Sequence, residues 1–597
     1  MPHIPLSRCL SGRDVTDVRV RPGGEWVSGV LSEPGLEGAI NRLQMWNVAD
    51  PDVVVDLLLE PAPVNGRGLS GGVHVWDHDG NRIFVVTKSE GVVEVTLEDD
   101  APTRVKRLPF DTSRSWSTPA FDYMNRSLFV IADWRELWGC KVGSGDPWLV
   151  HASEGFAMDA AAGADGMCLE WQRPHMPWTE STIYPEPSTP NVSVQQPRFS
   201  PDGTGFGYID DMRGIANVRI LADSVVDHDV VIEDDCEHGG PTWGPGQRTW
   251  CFNSDGTRVA YTRNENGFGS LWVYDRATTE RTFVGRGIHG CVSWEDNTLS
   301  ALRSGARTPQ QVVVYDTTDV SNIQRTILVR PADELWFTPE IDAELVEPSV
   351  HSVDNNGVTV PYRLYRSVHP PFGLIVWVHG GPTDQWQVTF RPRLTYWLSR
   401  GWSIAVLDHR GTTGHSRDFT EALEGQWGSA DSIDTHAVLQ HVQRVFGYRP
   451  ERTVLMGGSA GGLTVLNTIA IDPDLCAGAV LNYPVVDLGE LMRGNDPFET
   501  HYMPRLIGAS SPDDPVLHSR SPLKWAHRIA KVPVLIFHGD HDHSVPLIHS
   551  ERLRNVVRAA GGSIRLEVMP GEGHGFRDPL NVIREYSFTE EFLNALL

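Results

Sequence analysis

Two domains of different class are predicted for this chain of 597 residues. The first, residues 1–340, is a β-propeller of about seven blades. The second, residues 341–597, is an α/β domain with a doubly wound, mostly parallel sheet. Three observations predict this: the length, a recurring turn-and-strand unit, and a change of periodicity near residue 345. One hydrophobic core stops growing at about 250–300 residues, so a chain this long divides.

The recurring unit is a turn followed by two apolar runs. It reads "VRPGGEWVSGV" from Val20, "WDHDGNRIFVV" from Trp76, "FDYMNRSLFVI" from Phe121, "FSPDGTGFGYI" from Phe199 and "FNSDGTRVAYT" from Phe252. Weaker starts lie at Phe156 and Trp294, so the fourth blade is poorly marked. Asp-Gly and Pro-Gly supply the turns, and β-branched and aromatic residues supply the strands. A spacing of roughly 40–50 residues is that of a four-stranded blade, and it favours a propeller over a β-sandwich array or a β-helix.

Beyond a linker at about residues 331–350, short apolar strands alternate with helical stretches. "GLIVWVHGG", "WSIAVLDHRG", "TVLMGGSAGG", "VPVLIFHGD" and "SIRLEVMPG" are such strands, and "SADSIDTHAVLQHVQRVFG" is such a helix. Near-continuous apolar strands between helices imply a parallel sheet covered on both faces.

Composition is that of a globular protein, with 40% hydrophobic and 21% charged residues and a net charge of −26. An acidic surface repels phosphate backbones, which argues against a nucleic-acid partner and favours cationic substrates such as peptides with a free α-amino group. The seven cysteines are odd in number, widely spaced and without a CxxC pair, which points to a reducing compartment. No charged start with an apolar run opens the chain, and no stretch is apolar enough to span a bilayer, so a cytoplasmic location and no membrane partner are expected.

The chemistry is carried by Gly457-Gly458-Ser459-Ala460-Gly461, a G-x-S-x-G run after a strand and before a helix. That context is a nucleophile elbow, in which a strained turn presents the serine. In an α/β hydrolase the acid and then the histidine follow, each on a loop after a later strand. "VPVLIFHGDHDHSVP" offers Asp540 and Asp542, and "SIRLEVMPGEGHGF" offers His574. The order Ser459, Asp542, His574 fits, with His574 as base and the acid fixing its tautomer. The amides of Ala460 and of Gly381, in "VWVHGGPTDQW", are the expected oxyanion donors. His379 is read as support for that loop.

Together, "HGGP" (379–382), "DHRGTTGHSRDF" (408–419), "WGSADSID" (427–434), "GGSAGG" (457–462), "HGDHDHSVP" (538–546) and "GEGHGF" (571–576) make the last 250 residues or so resemble the prolyl oligopeptidase family, in particular its acylaminoacyl-peptidase-like branch. The resemblance implies a propeller that limits substrate size and a serine peptidase without a cofactor. It selects Asp542 over Asp540 as the acid. It also exposes a departure, because many members carry Arg two residues after that acid, where this chain has Ser544. A serine cannot replace a bidentate guanidinium. The glutamine usual after "VP" is His549 here. These differences point to substrates with little beyond one amino-acid residue on the acyl side, as for an aminopeptidase or an aminoacyl-amide hydrolase.

Trp386, Tyr483, Phe498 and Ser544 are the candidate substrate contacts, each set against a plain core or surface role. The acidic runs 208–214 and 231–240 are candidates for holding a substrate amine. His541 and His543 could share a strand face as metal ligands, but zinc sites need three ligands and support, and Asp542 is explained by the triad. No metal is therefore expected. The expected partner is a short peptide or a small aminoacyl amide or ester, and a homo-oligomer is compatible with the resemblance. Two alternatives stand beside the peptidase: a hydrolase, acyltransferase or cyclase acting on a non-peptide aminoacyl metabolite, and an inactive propeller scaffold.

Overall fold

The computed structural model describes residues 4–10, 12–35, 38–66, 68–122, 124–143, 145–163, 165–200, 203, 205–223, 225–370, 372–494 and 498–596. The chain divides into two compact units. One comprises residues 11–336 and 387–390, and the other comprises 1–10, 337–386 and 391–597.

The first unit is a propeller of seven sheets, spanning 14–58, 74–107, 116–152, 156–184, 194–231, 250–286 and 288–329. Each sheet is an antiparallel meander in chain order. The seven positions at which the recurring unit starts, from Val20 to Trp294, all lie on the first strand of a sheet. The fourth sheet has three strands where the other six have four, which is why its signature is faint. Parts of the units at Phe121 and Phe199, namely Tyr123, Pro201, Asp202 and Thr204, lie outside the described residues.

Burial follows the position of each strand. Ile288–Glu295 is buried at seven of its eight residues, whereas the last strand of the second blade, Ala101–Arg107, is exposed throughout. The first and seventh blades pack through Val15, Val18, Cys291 and Leu302, which belong to one cluster, so the ring closes by side-chain packing. Each blade places one residue at positive φ on or just before its first strand: Asp17, Gly72, Thr118, Asp159, Gln196, Gly246 and Cys291. These residues tie blade to blade. The Asp17 carboxylate accepts from the amides of Val73 and His74 at 2.7 and 2.8 Å, and Thr118 N donates to Gly72 O at 2.9 Å.

The second unit is built on one eight-stranded sheet. Its strands are β1 (Ser349–Asn355), β2 (Val358–Tyr365), β3 (Gly373–Val378), β4 (Trp402–Leu407), β5 (Thr453–Gly458), β6 (Gly478–Asn482), β7 (Val534–Gly539) and β8 (Ile564–Met569), in the order β1-β2-β4-β3-β5-β6-β7-β8. From β4 to β8 neighbours pair in parallel, while β1 and β2 form an antiparallel hairpin and β2 runs antiparallel to β4. β1 is unanticipated, since Ser349 and Val350 lie in the stretch read as linker. Its alternation of half-buried and exposed side chains gives an edge strand no continuous apolar run. The helices Ala430–Phe446 and Ala460–Ile471 cover the sheet and contribute Val438, Leu439, Val465, Leu466 and Ile469 to its core.

The chain start belongs to this second unit. The helix Leu6–Leu10 packs on the helices Pro392–Ser399 and Pro579–Ala595, and Ile4 N donates to Ser399 Oγ at 3.2 Å. All seven cysteines are free thiols. Among the described residues no helix is long and apolar enough to cross a membrane.

Candidate active site

Ser459 ends β5 and opens the helix Ala460–Ile471 with φ 54° and ψ −124°. This is a strained conformation for a residue with a side chain, held because its surroundings fix it. Ser459 N donates to Asn482 O at 3.0 Å, and Ser459 O accepts from Gly462 N and Val485 N at 3.0 and 3.2 Å. The flanking glycines are demanded by space. A Cβ on Gly461 would lie 2.5 Å from the carbonyls of Val378 and His379, and one on Gly457 would lie 2.6 Å from Gly461 O.

The acid and the histidine meet across two loops. His574 Nδ1 and Asp542 Oδ2 are 2.7 Å apart. The other Asp542 oxygen accepts the amides of Ser544 and Val545 at 3.0 and 2.9 Å. With its carboxylate fully buried and His574 partly open to solvent, Asp542 can fix the imidazole with Nε2 outward. The Ser459 hydroxyl makes no hydrogen bond among the described residues, so the elbow and the histidine are closed by substrate or not at all.

The two loops are stitched together by neighbouring groups, of which the sequence reading singled out Asp540 and His541 but not Glu572. Glu572, beside His574, is buried, and its carboxylate accepts from the amides of Arg577 and Asp578 and from Asn581 Nδ2 at 2.8–3.1 Å. His541 N donates to Glu572 O at 2.9 Å, and Gly571 N donates to Asp540 Oδ1 at 2.7 Å. Asp540 therefore tunes the loop and does not bond the histidine. His538, on β7, bonds Ser550 Oγ and Val545 O, and burial holds it below its usual pKa. His541 and His543 are exposed.

The loop after β3 lies against the elbow. A Cβ on Gly380 would stand 3.2 Å from Gly458 O and 3.4 Å from Ser459 Cβ. Gly381 has φ +121°, where a side chain is strained. His379 supports this loop. It bonds Thr412 Oγ1 and stacks on His409 at 4.6 Å, and burial depresses its pKa to about 3. Two further clamps are long-range. The Tyr502 hydroxyl bonds Thr383, and Asp408 accepts a bidentate pair from Arg363 at 2.6 Å with Gln385 Nε2 at 2.9 Å. Ala460, whose amide begins the helix, is buried.

Of the four candidate substrate contacts, the structure brings the Tyr483 ring to His574 and the Ser544 amide to Asp542. Tyr483 follows β6 at φ 39°, its ring lies 4.4 Å from that of His574, and it touches the space above Gly458. Burial pushes its hydroxyl up to about 12. Trp386 instead packs on Trp377 at 5.4 Å under the Arg391 guanidinium, and among the described residues it has no ring contact with His574. Phe498 is half-buried in the turn 498–500, and Ser544 is exposed, with its amide on Asp542. The acidic runs of the propeller are engaged internally, Asp210 by Arg219 and Asp234 by Arg263.

Residues 388–597 match the family described as "Prolyl oligopeptidase family". "Dipeptidyl peptidase family member 6" of Caenorhabditis elegans is 31% identical over 234 residues, 38% of this chain and 31% of that protein. "Dipeptidyl aminopeptidase BIII" of Pseudoxanthomonas mexicana is 29% identical over 318 residues, 51% and 45% of the two chains. "Acylamino-acid-releasing enzyme" of Sus scrofa is 26% identical over 372 residues, 58% and 49%. The chain thus spans less than half the length of these curated relatives. Among solved structures, a Mycobacterium tuberculosis puromycin-hydrolyzing peptidase superposes with a TM-score of 0.84 at 21% identity, covering 100% of this chain and 96% of that one. A Pyrococcus horikoshii acylaminoacyl peptidase gives 0.73 at 17%, covering 98% and 96%. These likenesses show the same fold, a propeller with an α/β hydrolase.

Proposed function

We propose that this protein is a serine peptidase of the prolyl oligopeptidase type that cleaves short peptides or aminoacyl amides from a free amino end. The observation that carries the reading is the 2.7 Å bond between His574 and the buried Asp542, in a domain where Ser459 sits at a strained elbow. Ser459 Oγ attacks the carbonyl carbon while His574 Nε2 takes its proton. The amides of Ala460 and Gly381 hold the oxyanion. His574 then returns the proton to the leaving amine, and water, activated by the same imidazole, hydrolyses the acyl-enzyme.

The aminopeptidase preference rests on Ser544, exposed where the family resemblance implies an arginine in many members, and is supported by the name of the Pseudoxanthomonas relative. A fluorophosphonate probe is expected to label the wild type and to leave Ser459→Ala unlabelled, with hydrolysis falling by at least about 10³-fold. Free-amine aminoacyl and dipeptidyl anilides and puromycin are expected to turn over faster than their N-acetylated forms. Ser544→Arg is expected to leave turnover of N-acylated dipeptides unimproved. A large gain in that variant would remove the preference and leave the hydrolase reading intact.

A further inference from the structure

The propeller contains a cavity of about 190 Å³, lined by the first-strand regions of six of its seven blades. Three arginines reach it from three blades, Arg19 from the first, Arg198 from the fifth and Arg248 from the sixth. Each stands two residues beyond a left-handed position, at Asp17, Gln196 and Gly246. Register shifts accompany the left-handed residue in the first and fifth blades, and all three arginines line the one cavity.

Arg198 Nη1 and Nη2 donate to Pro197 O and Gln247 O at 2.7 and 2.6 Å, and its buried Nε has no hydrogen-bond acceptor. Arg248, 8% exposed, donates through Nη2 to Val292 O at 3.0 Å. Its buried Nη1 has no hydrogen-bonded acceptor and lies 3.9 Å from Asp17 Oδ1.

The carboxylates nearby take up these donors only as longer ion pairs or not at all. Asp17 Oδ2 accepts from two amides, and its Oδ1 lies 3.5 Å from Arg19 Nε. Asp122 is held by Met124 N and Asn125 Nδ2 in its own turn. Glu295 bonds Ser254, and burial pushes its carboxyl up to about 7. Asp159 gives one oxygen to Gly246 N at 2.6 Å and leaves the other without a donor. Burial raises the Asp159 pKa against the pull of Arg198, and it lowers Arg198 to about 10. Arg198 therefore faces one weakened carboxylate, Asp159, while Arg248 Nη1 lies 3.9 Å from Asp17, whose carboxyl Arg19, His74 and Arg248 hold below its usual range against burial. A buried guanidinium with an unused N–H is costly unless something accepts from it.

We propose that this cavity binds a small tetrahedral oxyanion, inorganic phosphate or a phosphate monoester. Guanidinium groups pair with phosphate oxygens through charge-assisted bonds. Donors arriving from separate blades suit four oxygens in a tetrahedron better than the two in-plane oxygens of a carboxylate. The volume exceeds that of several waters, at about 30 Å³ each, and admits one such ion with part of its hydration. Nothing in the proposed peptidase chemistry uses this site.

The test uses the full-length protein and inorganic phosphate, with chloride at equal ionic strength as control. Phosphate is expected to raise the melting temperature of the propeller transition beyond the chloride control and to show broadened ³¹P resonances on titration. Arg248→Gln is expected to weaken binding by about tenfold, and Asp159→Asn, which keeps an acceptor for Gly246 N and adds a donor to the cavity, to tighten it. Phenyl phosphate distinguishes the two sources: a response equal to that of phosphate assigns a monoester, and a response to phosphate alone assigns the free ion. If Arg248→Gln does not fold, wild type and Asp159→Asn decide. No phosphate effect beyond chloride in both of them overturns the proposal, as does equal affinity in all three proteins.

Discussion

In the propeller, a left-handed residue recurs on or just before the first strand of every blade, from Asp17 to Cys291, and others stand at turns such as Asp133, Asn266 and Thr279. In the hydrolase, besides Asn356 and Ser416, two such residues stand side by side, Ser459 at φ 54° and Tyr483 at φ 39°, after the adjacent strands β5 and β6. The same conformation does two jobs. Repeated, it bends each inner strand and links it to the next blade, so it belongs to the architecture. At two adjacent strand ends, it turns the chain at Ser459 and sets the Tyr483 ring 4.4 Å from that of His574. Strain at a repeat is shared and marks a fold, whereas strain at two neighbouring strand ends marks a site.

The sharpest way to break this contrast is to alter chemistry in one domain and packing in the other. Asp542→Asn preserves an acceptor for the amides of Ser544 and Val545 but presents the wrong hydrogen-bonding partner to His574. It is expected to lower kcat/KM by about 10³–10⁴-fold with little change in melting temperature. A large fall in stability with activity retained would mean that the acid is structural.

Trp250→Ala makes the opposite cut. Trp250 is fully buried in the sixth blade and bonds Gln196 O at 3.1 Å. Its loss is expected to cost the propeller about 3–5 kcal/mol, read by denaturant unfolding, with kcat per fluorophosphonate-titrated serine unchanged.

The third effect is the smallest near neutral pH. His549 stands where the family's glutamine is usual, and it is buried. Its Nδ1 accepts from Val486 N at 3.2 Å, its Nε2 has no partner, and burial depresses its pKa to about 4. The unfolded chain binds this proton at a pKa of about 6.5, so folding is opposed increasingly as pH falls from about 6.5 to about 4, and no further below that. The full difference amounts to about 3 kcal/mol. His549→Gln is expected to flatten the stability profile of the hydrolase over that window and to leave it unchanged at pH 8. An unchanged acid limb would show that His549 does not titrate as described.

How much of this could be read beforehand depended on sequence distance. The blade starts were legible because Asp-Gly and Pro-Gly turns and the strands they join are local. The candidates Ser459 and His574 were legible because each sits on a loop directly after an apolar strand, in a fixed order, whereas that loop placement left Asp540 and Asp542 open and the family resemblance chose between them. The fourth blade was faint because it lacks a strand, and β1 was missed because an edge strand shows no apolar run. Glu572 lay inside a motif already quoted, yet its partners are backbone amides, which carry no residue signature.

The sequence by itself determined the two fold classes and the elbow, since turn chemistry, strand periodicity and loop placement are short-range, and it offered Ser459, Asp542 and His574 as the candidate triad once the family resemblance had chosen between Asp540 and Asp542. Only the tertiary structure decided which neighbours hold them. Tyr502 reaches Thr383 across 119 positions, Arg363 reaches Asp408 across 45, and Arg248 comes to the same cavity as Arg198 from the next blade. It also decided that Tyr483, and not Trp386, lies against His574. Packing chooses such pairs through geometry that no local pattern encodes, because a side chain's partner is set by where two distant strands end.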